Sequence, residues 1–161
     1  MFLYELHMHT SEGSACGKSS IHDMIRTYKD MGFAGAVVTD HFFRGNCRVN
    51  RKLPWTEFLD EYCRGYYEGL ETAAKLDFDL LFGIEQTYGP GKEFLAYGFQ
   101  PEFLYPRPEL QFGELEDWNR AVHQVGGFIA YAHPFRQRSY IPDPRSIPDL
   151  SLVDGVEVFN Y

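Results

Sequence analysis

The run Ala34-Gly35-Ala36-Val37-Val38-Thr39 shows no alternation of apolar and polar residues, so neither face of that segment is built for water. A strand apolar on both faces suits a parallel sheet covered by helices on either side. Helical stretches stand on both sides of it in the chain. Ser19 or Ser20 caps a helix whose Ile21, Met24, Ile25, Tyr28 and Met31 share one face, and which stops near Gly32. Pro54 opens a second, longer helix, because proline favours the first helical turn; Trp55, Phe58, Leu59, Tyr62, Tyr66 and Leu70 form its apolar side.

Further strands are expected over residues 2–6, 80–84, 94–97, 128–131 and 156–159. The turn Gly89-Pro90-Gly91-Lys92 leads back into the strand at 94–97, and a helix over 113–125 ends at Gly126-Gly127. Residues 42–53 and the proline-rich stretch 136–150 read as loops. Strand and helix alternate, which predicts parallel strands with right-handed crossovers, hence a barrel or a doubly wound sheet. The 161 residues suffice for one domain with a real core, and no repeat, low-complexity tract or linker divides them.

The net charge of −8 argues against a basic surface that follows long nucleic acids. It leaves a nucleotide substrate open, because bound cations invert local charge. Cys16, Cys47 and Cys63 are odd in number and irregularly spaced, which fits a reducing cytoplasm better than a disulfide framework. The start lacks the basic and apolar regions of a signal peptide, and no apolar run is long enough to span a bilayer, so no membrane partner is expected.

The chemistry collects at strand ends. His7 and His9 follow the first strand; as residues i and i+2 they point to one face. Asp40 and His41 follow the second, Glu85 ends the third and His133 follows the fifth. Ligands of parallel α/β folds gather at that edge of the sheet. Four of the six histidines fall there, where a random scatter would place most elsewhere. Imidazole with carboxylate and no thiolate suits zinc, manganese or iron(II). A carboxylate such as Glu85 can bridge two ions, and bridged ions suit the hydrolysis of a phosphate ester.

His7-Met8-His9-Thr10, Thr39-Asp40-His41, Gly83-Ile84-Glu85 and Ala132-His133-Pro134 resemble, in order, the motifs of the PHP (polymerase and histidinol phosphatase) family. The resemblance runs from residue 5 to the end of the chain. It implies an α/β fold of the distorted (β/α)7, TIM-like barrel type and a metal-dependent phosphoesterase with two or three divalent ions, the nucleophile being a metal-activated water. It further implies that His7, His9 and Glu85 hold a first ion and that Glu85 bridges to a second, also held by His133. His41 would hold a third with an early loop residue, for which Glu12 is the candidate. Asp40 would orient a ligand rather than bind an ion. The substrate would be a small phosphorylated molecule or a nucleotide.

Two departures from the family pattern stand out. The fourth-strand region, Glu93-Phe94-Leu95-Ala96-Tyr97-Gly98, lacks the histidine many relatives carry, and Glu93 is the available substitute. No Asp-x-His follows Glu157-Val158-Phe159-Asn160-Tyr161, so the resemblance implies a single PHP-like domain, 1–161, incomplete at its C-terminus. Arg136 and Arg44, each three residues after a motif histidine, are candidates for gripping phosphate, with Arg138 a weaker one. Tyr88 and Tyr131 are core candidates before pocket candidates.

Gly13-Ser14-Ala15-Cys16-Gly17-Lys18-Ser19 is similar to a phosphate-binding Walker loop, but only three residues separate its glycines and Glu12 stands at the place of the first. A P-loop NTPase is therefore not the expectation. His22 and His123 read as structural, and Cys16 as a small buried hydrophobe. The rival to an enzyme is a PHP-like scaffold or interaction module that has lost its catalysis.

Overall fold

In the computed structural model, which describes residues 2–145 and 149–159, the expected punctuation is physically visible. Ser20 is the cap of α1 (Ile21–Asp30), its hydroxyl accepting from the Asp23 N–H at 3.2 Å. The helix ends beside Gly32, whose φ of +88° lies where glycine costs least. Pro54 caps α2 (Trp55–Lys75). The buried side of α2 carries Phe58, Leu59, Tyr62, Cys63, Tyr66 and Ala73, whereas Leu70, expected on that side, is exposed. Gly69 lets α2 approach its neighbours: a Cβ there would meet Ile21 at 2.6 Å and Leu80 at 2.8 Å.

The strands are β1 (Tyr4–Met8), β2 (Gly35–Val38), β3 (Asp79–Gly89), β4 (Lys92–Tyr97), β5 (Phe128–Ala132) and β6 (Gly155–Val156). The third helix, α3 (Leu115–His123), precedes β5. The strands form one sheet in chain order, β1-β2-β3-β4-β5-β6. β1, β2 and β3 are parallel, as expected from the apolar run that became β2. The expectation of parallel strands throughout fails at β4, which is antiparallel to both β3 and β5. The reason is local: Gly89 pairs with Lys92 across Pro90-Gly91, and a turn that short cannot make a crossover. β5 and β6 are parallel again. The segment 136–150 is a loop in its described part up to Asp149, with Leu150 opening a short 3-10 turn, Leu150–Leu152; residues 146–148 lie outside the described residues.

The sheet curls into a half-barrel. Laid flat, six strands would separate β1 from β6 by about 24 Å. Yet His7 on β1 lies 2.9 Å from Glu157, just past β6, and the Tyr97 hydroxyl donates to the Leu6 carbonyl at 2.9 Å. Aromatic packing ties the parallel and antiparallel parts together. Phe42 meets Tyr62 of α2 and Trp118 of α3 edge-on, at 5.1 and 5.6 Å between ring centroids, and Trp118 meets Phe94 of β4 at 5.8 Å. Phe42, Trp118 and Phe94 are fully buried. No helix among the described residues is long and apolar enough to cross a membrane.

Candidate metal centre

The curl brings the chemical residues of all six strands to one point. His7 lies in β1 and His9 just beyond it, with their rings 5.0 Å apart. Glu85 is the hub. Its side chain has no exposure, in the middle of β3. Oε1 lies 3.2 Å from His7 Nε2 and 2.9 Å from His133 Nε2. Oε2 lies 3.3 Å from His9 Nε2 and 2.8 Å from His41 Nδ1. One carboxylate therefore meets four imidazoles. Glu93, at the start of β4, is buried beside it, 3.4 Å from both His41 Nδ1 and His133 Nε2. Glu157 closes the ring, 2.9 Å from His7 Nδ1 and accepting from the His133 N–H at 2.6 Å. His133 itself holds a φ of +28°, a conformation β-carbon residues rarely take, so the local backbone is strained where it presents this imidazole.

Electrostatics sharpen the arrangement. Burial opposes ionisation of Glu85, but the imidazoles of His133, His41 and His7 close against it outweigh that and hold the carboxyl well below its usual range. Burial also opposes charge on His7, yet Glu157 and Glu85 together raise it to about 10. Burial takes His9 down to about 3, leaving a neutral ring with a lone pair to give. Burial, with the charge of Glu85, pushes Glu93 up. The histidines thus sit around acids that need positive charge.

Asp40 builds the floor. It is buried and accepts from the Thr10 N–H and hydroxyl at 2.6 Å each and from the Ser14 hydroxyl at 2.7 Å. The Ser14 oxygen in turn accepts from the His41 N–H at 2.9 Å and lies 3.2 Å from His9 Nδ1. Asp40 therefore holds Ser14, which meets the imidazole of His9 and the backbone of His41. Burial raises Asp40 to about 6 despite these bonds.

The donor set fits a metal ion. His41 Nδ1 and Glu85 Oε2 are both buried and make no hydrogen bond of good geometry, although they lie 2.8 Å apart. Orphaned buried polar atoms are costly unless something else engages them. Three overlapping sets place their ligand atoms within 4.8 Å of one another: His7 with His9 and Glu85, His41 with Glu85 and Glu93, and His9 with Cys16 and His41.

Of the residues expected at the site, His7, His9, His41, Glu85 and His133 converge, and Glu93 joins them. Glu12 does not. Both its carboxylate oxygens lie 3.2 Å from the Ile21 N–H at the start of α1, where free N–H groups and the helix dipole welcome a negative charge. Cys16 stands in its place, exposed on the wall of the cleft rather than buried. Arg136 and Arg44 line the same cleft, but each is also tied to an acid: Arg136 lies 3.5 Å from Glu93, and Arg44 donates to Glu114 at 3.0 Å. Arg138 lies on the wall as well. Tyr88 and Tyr131 pack against each other, 5.8 Å between centroids, away from it. His22 pairs with Thr72 at 2.8 Å and His123 with Asp154 at 2.9 Å, both structural. Sequence reasoning missed Glu157 and Ser14. Glu157 falls inside the expected strand 156–159 and so carried no strand-end signal; Ser14 offered none either.

The cleft has a volume of about 1000 Å³ and opens over the histidines, with Phe135 and Tyr140 at its rim. A family model described as the PHP domain matches residues 5–138. No curated protein matches the chain. Among solved structures, the chain is similar to a proposed metal-dependent phosphoesterase from Bifidobacterium adolescentis, at 15% identity and a TM-score of 0.61, covering 98% of this chain and 77% of that one. It is similar to a two-domain protein from Bacteroides vulgatus containing a predicted PHP-like metal-dependent phosphoesterase, at 20% identity and a TM-score of 0.69, covering 98% of this chain and 44% of that one. An amidohydrolase from Chromobacterium violaceum, with bound sulfate and no metal, matches at 14% identity and a TM-score of 0.53, over 83% of this chain and 67% of that one.

Proposed function

We propose, for a chain that belongs to the PHP domain family, that it is the metal-holding body of a hydrolase acting on small phosphoesters, nucleotides included. The observation that carries this reading is Glu85: one fully buried carboxylate in contact with four imidazoles at the floor of an open cleft. His7, His9 and Glu85 are the ligands of a first divalent ion. Glu85, Glu93 and His133 would hold a second, with Glu93 in the place of the missing histidine, and His41 would hold a third. Nitrogen and oxygen donors in this ratio suit zinc, manganese or iron(II). Such ions, when bound, acidify a water and polarise a phosphoryl oxygen.

The chain's own residues supply the rest. Glu85 and Glu93 bring the negative charge that draws cations into a buried place. Asp40 and Ser14 fix His9 and His41. Arg136 and Arg44, on the wall above, offer planar donors matched to a phosphate. A cleft of about 1000 Å³ suits a small molecule more than a polymer.

The test is hydrolysis of p-nitrophenyl phosphate and of nucleoside monophosphates by the full chain supplied with manganese or zinc, read together with metal content. His9→Ala and Glu85→Ala are expected to abolish the metal-dependent rate, and Arg136→Ala to raise KM while leaving the metal content intact. Wild-type rates in both ligand variants would reject the mechanism. A folded chain that holds no ion would favour the scaffold reading.

A further inference from the structure

Cys16 occupies a position that neither its class nor the hydrolytic reading accounts for. An exposed thiol is ordinarily avoided, yet this one lies on the cleft wall with its Sγ within 4.8 Å of a ring nitrogen of both His9 and His41. The loop that carries it is clamped on two sides. The Ala15 N–H donates to the Asn46 carbonyl at 2.9 Å and the Arg48 N–H to the Gly13 carbonyl at 2.9 Å. Gly17, next to Cys16, lies so close to the Thr10 carbonyl that a Cβ would meet it at 2.1 Å. The thiol is therefore placed by the backbone and is not a wandering side chain.

A second observation points to a ligand at the same corner. His41, itself buried, forms an ion pair with Glu85, Nδ1 lying 2.8 Å from Oε2 without a hydrogen bond of good geometry, and the same oxygen lies 3.3 Å from His9 Nε2. Both histidines beside Cys16 thus reach the same buried carboxylate oxygen. In a tetrahedral zinc site, sulfur and nitrogen ligands lie about 3.5 Å apart, so side-chain shifts of an ångström or so bring these atoms into register.

We propose that Cys16 is a thiolate ligand that joins His41, beside His9, in a soft corner of the centre that takes a zinc-class ion in preference to manganese. This rests on the metal-centre reading above and deepens it. Among the described residues, this is the one ligand set that contains sulfur; the other two offer nitrogen and oxygen only. Thiolate selects zinc-class ions, whereas carboxylate-rich sets accept manganese and iron. On binding, the Cys16 S–H bond breaks, a sulfur–metal bond forms and the proton passes to solvent. The mixed donor set makes the centre heterometal-competent: one corner soft, the other harder.

Cobalt(II) titration of the reduced full chain separates the possibilities, because visible ligand-field bands report any bound ion and a near-ultraviolet charge-transfer band reports thiolate ligation alone. Both bands are expected in the wild type. Cys16→Ser, at an exposed position, should keep the fold by circular dichroism and keep the visible bands. It should lose the charge-transfer band and bind one ion fewer. In zinc–manganese competition its preference for zinc should fall at least roughly tenfold, the scale on which ligand-shell changes act. Visible bands without the charge-transfer band in the wild type overturn the role of Cys16 and leave the metal centre standing. A charge-transfer band that persists in Cys16→Ser also overturns it, because Cys47 or Cys63 is then the source. A folded wild type with neither band overturns the metal centre as well.

Discussion

The parallel strands and the antiparallel one reach the same cleft edge from opposite ends. In β1, β2 and β3 the chain runs toward the cleft, so His7, His9, Asp40, His41 and Glu85 come at or after the late part of each strand. β4 runs the other way, so its contribution, Glu93, comes at the start. The pairing register shows it: Glu93 stands opposite Thr87 and Ala132, next to His133, while β4 ends at Tyr97, opposite Gly83 and Phe128. The lesson is that a strand-end rule must be applied with the strand's direction. Where direction reverses, the chemistry moves to the residue after the turn.

The largest effect that can break this comparison is loss of the residue shared by both halves. Glu85→Ala should remove ligands from two ions at once. It should lower phosphoester hydrolysis well beyond the roughly 10–100-fold typical of an outer partner, measured as kcat/KM with metal in excess. Next is the mechanical join. Trp118→Ala removes the fully buried ring between Phe42 and Phe94 and should cost about 3–5 kcal/mol in urea unfolding. An unfolding transition that splits in two would show that the halves are separable. Glu93→Gln should be milder. It keeps the shape and removes the charge, so binding of one ion should weaken roughly 10–100-fold while the other is retained, as read by metal competition. If Glu93 is only a buried bystander, both ions stay.

The smallest effect is alkaline. Burial raises Cys47 to about 11 and Cys63 to about 12, both in the part of the molecule built on the parallel strands. The folded chain prefers the neutral thiols, so their stabilisation is complete below the ordinary cysteine range near pH 9 and is lost as pH rises toward 11–12. Each thiol should cost about 1 kcal/mol by pH 10 relative to pH 8. Cys63→Ala should shrink the drop in the urea midpoint; an unchanged drop would mean these thiols are not what titrates.

Much of the site was legible because its signals are local. His7 and His9 share a face by strand period alone, and Ser20 and Pro54 mark their helices by cap chemistry that needs no tertiary partner. What was not legible depends on which of two local roles a residue takes, or on direction. Glu12 and Cys16 lie in one loop and both are plausible ligands. Only the fold shows that Glu12 is claimed by the start of α1 while Cys16 faces His9 and His41. Glu157 reads in sequence as one more residue of a short final strand, and becomes a partner of His7 and His133 only because the sheet curls. Ser14 works through two hydrogen bonds whose partners, Asp40 and His41, stand 26 and 27 residues away.

The central claim is that residues from both strand directions converge on Glu85 to hold metal. Metal content of the folded full chain, loaded with manganese or zinc and desalted, tests it most directly. The account predicts about two or more tightly held ions per wild-type chain, as expected for a bridged centre, and fewer than one in Glu85→Ala. A folded wild-type chain that retains less than one ion would contradict it.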